Sequence, residues 1–254
     1  MIAPTRMALM AACALSLTAP AARALDLDSM TPGEQEAFGA AVRSYLLENP
    51  QVILEAVDVL EQQQQQAEAA RDDALVKANL QELQDDGYSW VGGNPEGDIT
   101  LVEFMDYRCG YCRKAAPEVE ALLAADKNIR FVVKEFPILG EASMVSSRFA
   151  VATKMVAGDE AYKNIHDTLI AFQGEPNEVA LRRMAEGLSL DADAILAKMD
   201  DPEVTDQIQR TRTLAQTLSI SGTPTFVLED EMLRGYLPAD QLQIMIDTIR
   251  ENRS

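Results

Sequence analysis

Cys109 and Cys112 stand three positions apart with Gly110 and Tyr111 between them, a spacing that suits a disulfide opening and closing within one chain. Ahead of them, Ile99-Thr100-Leu101-Val102-Glu103-Phe104-Met105 is an apolar run of strand length, and a helix-like stretch follows from about Tyr111 to Ala125. A sulfur at a helix N-terminus meets unsatisfied N–H groups and partial positive charge, which favour its thiolate. Cys109 is therefore expected to attack, and Cys112, one turn inside, to resolve. A static bridge across so short a loop would restrain the unfolded chain little, so the pair reads as redox-active.

Two further places carry chemistry. Glu103 is an acid in the middle of a strand read as covered on both faces, which is costly unless it has a task or a partner. Lys134, in Phe131-Val132-Val133-Lys134-Glu135-Phe136, is the expected partner, and the two are read as a proton relay for Cys112. The other place is Gly222-Thr223-Pro224-Thr225-Phe226, a proline directly before a strand. His166 falls in a helical stretch far from the pair, is read as a surface or subdomain residue, and is given no role.

The chain opens with Arg6, an apolar stretch from Met7 to about Ala19 and Ala22-Arg23-Ala24, which reads as a signal peptide over 1–24. Acylation of Cys13 as a lipoprotein is the competing reading. Export places the protein in the periplasm and leaves Cys109 and Cys112 as the mature cysteines. Two cysteines cannot build a multi-bridge framework, and with His166 as the single histidine they do not make a structural zinc site. No metal or other cofactor is expected. Losing Arg6 and Arg23 and no acid takes the formal charge from −19 to −21, which repels phosphate backbones and argues against nucleic acid.

From 25 to 86 the sequence is rich in Glu, Gln and Ala and reads as an N-terminal helical arm, with Thr31-Pro32-Gly33-Glu34 as a capping box. Asn49-Pro50 stops one helix and starts another, and the stretch from Glu61 to about Leu83 is thin in large apolar groups. The arm is either an oligomerisation element, or a helix lying along its own domain or a solvated spacer. Gly87 and Gly92-Gly93-Asn94-Pro95 break it. Residues 87–254 then read strand-helix-strand, a helical block at about 140–218, and strand-strand-helix. That order is an α/β thioredoxin fold with an inserted helical subdomain.

Leu101 to Cys112, Lys134-Glu135-Phe136-Pro137-Ile138-Leu139-Gly140, Gly222 to Phe226 and Arg234-Gly235-Tyr236 together resemble the DsbA-like branch of the thioredoxin superfamily, most closely the ScsC-type proteins. The resemblance implies that Pro224 is a cis proline facing the cysteines across a peptide groove. Gly110, Tyr111, Thr223 and Pro224 would contact substrate, with Thr223 offering backbone hydrogen bonds. Strong oxidases of the family have a histidine where Tyr111 stands, whereas Gly110-Tyr111 and Thr223 resemble isomerases such as DsbC.

The expected activity is thus exported thiol–disulfide isomerase or reductase, acting on unfolded or wrongly bridged exported proteins, with a membrane redox partner and a homo-oligomer through the arm. A DsbA-like dithiol oxidase is the alternative within the same chemistry. A copper-binding or chaperone-like module is the alternative of another class, since soft thiolates select Cu(I).

Overall fold

The computed structural model describes residues 30–253, so the signal peptide read at 1–24, with Cys13, lies outside the described residues. The chain divides into two compact units, the first ending at Glu61 and the second starting at Gln62.

In the first unit the Thr31 hydroxyl accepts from the Glu34 N–H at 3.4 Å, and the Glu34 carboxylate accepts from the Thr31 N–H at 2.8 Å. This capping box starts helix α1 (Pro32–Glu48), with Pro32 where no N–H is needed. Asn49 closes α1 onto the Tyr45 carbonyl, and Pro50 leads into α2 (Gln51–Ala78). No residue of α1 is buried, and Phe38, Tyr45, Leu54 and Leu60 are exposed.

The second unit takes in the end of α2, then α3 (Leu80–Gln84), β1 (Trp90–Gly93), β2 (Ile99–Met105), α4 (Gly110–Ala125) and β3 (Ile129–Glu135). The helical block follows as α5 (Glu141–Ala171), α6 (Glu178–Gly187), α7 (Ala192–Lys198) and α8 (Pro202–Thr217). The chain then forms β4 (Thr225–Leu228), β5 (Glu231–Arg234) and α9 (Ala239–Arg253). The strands lie in the order β1-β3-β2-β4-β5, with β2 and β3 parallel and the other pairs antiparallel. This is the thioredoxin-type sheet with helices inserted between β3 and β4.

All seven residues of central strand β2 are buried, which explains its lack of apolar–polar alternation. Leu101 and Met105 pack on one face with Phe131, Val133 and Val119, whereas Val102 and Phe104 pack on the other with Val132, Val76 and Leu83. Burying each such side chain stabilises the fold by about 1.5–3 kcal/mol. Val76 and Leu83 belong to α2 and α3, so the segment read as arm up to 86 supplies core residues from its C-terminal part.

One detail differs from the sequence reading. Gly92 and Gly93, read as a break, lie inside edge strand β1, where a Cβ on Gly92 would strike the Trp90 indole and Gly93 sits at φ +66° against the Ile129 carbonyl. The helical block opens with α5, which is two helices joined at Gly158, whose φ of +85° makes the kink between them.

Candidate active site

Strand β2 ends at Met105, and Asp106-Tyr107-Arg108 carry the chain to Cys109, which is the N-cap of α4. The Asp106 carboxylate holds this turn by accepting from the Arg108 N–H at 2.7 Å and from the Ile138 and Leu139 N–H groups at 2.8 and 3.0 Å. Its own N–H points at the Cys112 sulfur, 3.5 Å away. Both cysteines are free thiols and both are buried.

The loop before β4 closes over the pair. The Thr223–Pro224 peptide is cis, and the Cys109 thiol donates to the Thr223 carbonyl at 3.1 Å. Gly110 and Tyr111 are exposed beside it, Tyr111 by 64%, and a Cβ on Gly110 would meet nothing within 4 Å. Thr223 thus stands over Cys109, with Gly110 and Tyr111 exposed at the start of α4, while Pro224, like Cys112, is buried.

Glu103 is fully buried, and burial pushes its carboxyl up to about 8. Among the described residues no hydrogen bond or ion pair reaches that carboxyl. Glu103 and Cys112 line one small cavity. Burial, reinforced by the nearby Glu103 charge, pushes the Cys112 thiol well up.

The expected Glu103–Lys134 pair does not form. In the parallel register Glu103 lies beside Val133, and Lys134 lies beside Phe104, so the two side chains leave opposite faces of the sheet. Lys134 instead donates to the Asp86 carboxylate and the Glu82 carbonyl, each at 2.6 Å. Burial raises the Asp86 carboxyl, but the Lys134 ammonium and the Ser89 hydrogen bonds together outweigh it and hold the group below the ordinary range. Lys134 thus anchors the segment after α3 and has no path to Cys112 on its side of the sheet.

A second buried acid went unread in the sequence. Glu135 accepts from Tyr107 and Tyr162 hydroxyls on one oxygen, at 2.7 and 2.6 Å, and from Ser147 on the other at 2.7 Å. Burial pushes it up to about 7 against those hydrogen bonds. His166 is not a surface residue, for it is buried and its Nδ1 lies 3.1 Å from the Tyr107 hydroxyl. The signal for Glu135 was present, since an acid two positions after Val133 shares the face of Glu103; burial of a lone helical histidine leaves no such trace.

The model of the DsbA-like thioredoxin domain matches residues 100–247, more than half of the chain. The chain belongs to this family. Ahead of the DsbA-like domain, the model of the copper resistance protein ScsC N-terminal domain matches residues 34–67. A thioredoxin-like oxidoreductase from Silicibacter pomeroyi is 42% identical, with a TM-score of 0.63 over 67% of this chain and 97% of that one. BcfH from Salmonella enterica Typhimurium is 28% identical, with a TM-score of 0.72 over 85% and 95%. The Na(+)/H(+) antiporter NhaA 3 of Salinispora tropica is 33% identical over 145 residues, 57% of this chain and 22% of that protein. The chain therefore spans about a fifth of the length of the first curated relatives it matches. The matched region holds Glu103, Cys109, Cys112, Thr223 and Pro224.

Proposed function

We propose that this chain is a thiol–disulfide oxidoreductase that isomerises or reduces protein disulfides. The observation that carries the reading is the placing of Cys109, at the N-terminus of α4 and 3.1 Å from the carbonyl of a cis Thr223–Pro224 peptide, with Cys112 one turn behind. The Cys109 thiolate attacks a substrate disulfide, a Cys109–substrate bond forms, the substrate bond breaks, and the departing thiolate takes a proton from solvent. In isomerisation another substrate thiolate attacks the substrate sulfur of this mixed disulfide and returns Cys109, with no net electron transfer. In reduction Cys112 gives its proton to the Glu103 carboxylate and attacks Cys109, freeing the second substrate thiolate. A membrane redox partner then reduces the Cys109–Cys112 bridge. Burial holds the Glu103 carboxyl near 8, so the carboxylate that takes this proton is gained as pH rises through that value.

The substrate is an extended segment of an unfolded or wrongly bridged exported protein, laid against Thr223 by backbone hydrogen bonds and bounded by Gly110, Tyr111 and Pro224. The apolar side chains exposed on α1 and the start of α2, among them Phe38, Tyr45, Leu54 and Leu60, support an arm that joins copies of the chain. The arm read at 25–86 ends as an arm at Glu61, because the rest of it packs with the catalytic domain 87–254, and a signal peptide at 1–24 sends the protein to the periplasm. Among the described residues no helix is long and apolar enough to cross a membrane.

Refolding of scrambled and of reduced ribonuclease tests the reading. The wild type should restore the scrambled enzyme, Cys109→Ser should not, and a chain lacking residues 30–61 should lose isomerisation while still reducing small disulfides. Activity on reduced ribonuclease alone would replace the isomerase by a dithiol oxidase. Tight Cu(I) binding without any exchange would replace enzyme by copper-binding module.

A further inference from the structure

His166 is the single histidine of the chain, and α5 brings it to the rear of the cysteine site. Its ring stacks on Tyr162 with centroids 5.9 Å apart, and its Nδ1 meets the Tyr107 hydroxyl at 3.1 Å. Tyr107 has one hydroxyl proton, and with Glu135 ionised that proton is donated to the carboxylate at 2.7 Å. The Tyr107 oxygen can then only accept from the imidazole. This places the imidazole proton on Nδ1 and leaves Nε2 as an acceptor. Burial pushes His166 down to about 4, so the ring is neutral at neutral pH.

The same ring lines the cavity shared by Glu103 and Cys112, whose volume is about 20 Å³. That is room for one water, which needs about 10–15 Å³ and two to four polar partners. Glu103, Cys112 and His166 are buried around it, whereas Glu120 and Asp167, which also line it, are about half exposed and pair with Lys163 at 2.9 and 2.6 Å. The cavity thus reaches from the second sulfur toward solvent.

We propose that the cavity holds one water and that His166, through Nε2, positions this water as the bridge by which Glu103 exchanges its proton with solvent beside Glu120 and Asp167. The inference rests on the reading that Glu103 takes the Cys112 proton. The steps balance: Cys112 loses a proton to the Glu103 carboxylate, Glu103 passes one to the water, and the water releases one outward. His166 holds the water in line and ends each turnover neutral. The charged or titratable groups around it are Tyr107, Tyr162, Cys112, Glu103, Glu120, Lys163 and Asp167, with Glu135 behind Tyr107.

The test follows closure of the Cys109–Cys112 bridge from a mixed disulfide with glutathione, by stopped flow, from pH 5 to 10. His166→Asn keeps an amide at the Nδ1 position beside Tyr107 and removes Nε2, whereas His166→Gln puts an amide at the Nε2 position. Closure should slow about tenfold in the asparagine variant below the Glu103 inflection, with its melting temperature and Cys109 alkylation rate unchanged, and recover in the glutamine variant. Asparagine matching wild type throughout, or glutamine as slow as asparagine at equal stability, overturns the proposal. On the wild type itself at about pH 9, where Glu135 is ionised, nitrogen NMR of the single histidine should report the Nδ1–H tautomer, and the Nε2–H tautomer there would also overturn it. A wild type that closes no bridge at all overturns the proposed function, and the water bridge with it, a result distinct from indifference of His166.

Discussion

Glu103 and Lys134 are buried ionisable groups one register step apart on neighbouring parallel strands, and the sheet treats them as opposites. On one face Lys134 meets Asp86 at 2.6 Å and adds a carbonyl bond, so its charge is satisfied where it stands. On the other face Glu103 meets a cavity and a thiol, and avoids the cost of burial by keeping its proton up to about pH 8. A paired buried charge fixes structure, because removing either partner strands the other. An unpaired buried acid stays ready to gain or lose a proton, which is what a resolving cysteine requires.

That contrast can be broken from either side. Below about pH 4.5 the Glu103 carboxyl is protonated in both folded and unfolded chains; between there and about 8 only the folded chain keeps the proton. Wild-type stability should therefore fall, relative to Glu103→Gln, as pH rises through this window, by up to about 5 kcal/mol in urea unfolding. A constant difference across the window would mean that Glu103 is not held protonated. On the other face Asp86→Ala should cost about 3–5 kcal/mol at any pH where Lys134 is charged, with the rate of disulfide exchange unchanged. Adding Lys134→Met should return most of that stability, and a loss of exchange in either variant would bring Lys134 back into the chemistry.

His166 should show the reverse sign from Glu103. Its folded value near 4 lies below the usual 6.5, so only the unfolded chain takes up the proton in that interval, and stability is lost as pH falls through it. Relative to His166→Gln the loss should be about 3 kcal/mol between pH 6.5 and 4, measured by the same unfolding series. The smallest expected effect lies outside both faces. Gly158→Ala forces a Cβ into φ +85° and should lower stability by about 1–2 kcal/mol without touching exchange.

The sequence exposed the parts of the site that depend on local order. A buried strand leading straight into Cys109 and a helix after it are visible as an apolar run and a change of period, and the helices between β3 and β4 are visible in the same way. The partner of Glu103 was not legible, because it depends on the register between β2 and β3, and a shift of one residue turns a side chain to the other face. Strand β1 was hidden by Gly92 and Gly93, which read as punctuation until Trp90 is seen folded across them. His166 was hidden because Tyr107, in the turn after β2, and Glu135, at the end of β3, are distant in sequence from its helix α5.

The central claim is that Cys109 meets the substrate and Cys112 waits behind it. Incubating Cys112→Ser and Cys109→Ser with a peptide disulfide, and locating adducts by mass spectrometry, tests it most directly. The account predicts a stable mixed disulfide on Cys109 in the first variant and none in the second; an adduct on Cys112, or none on Cys109, would contradict it.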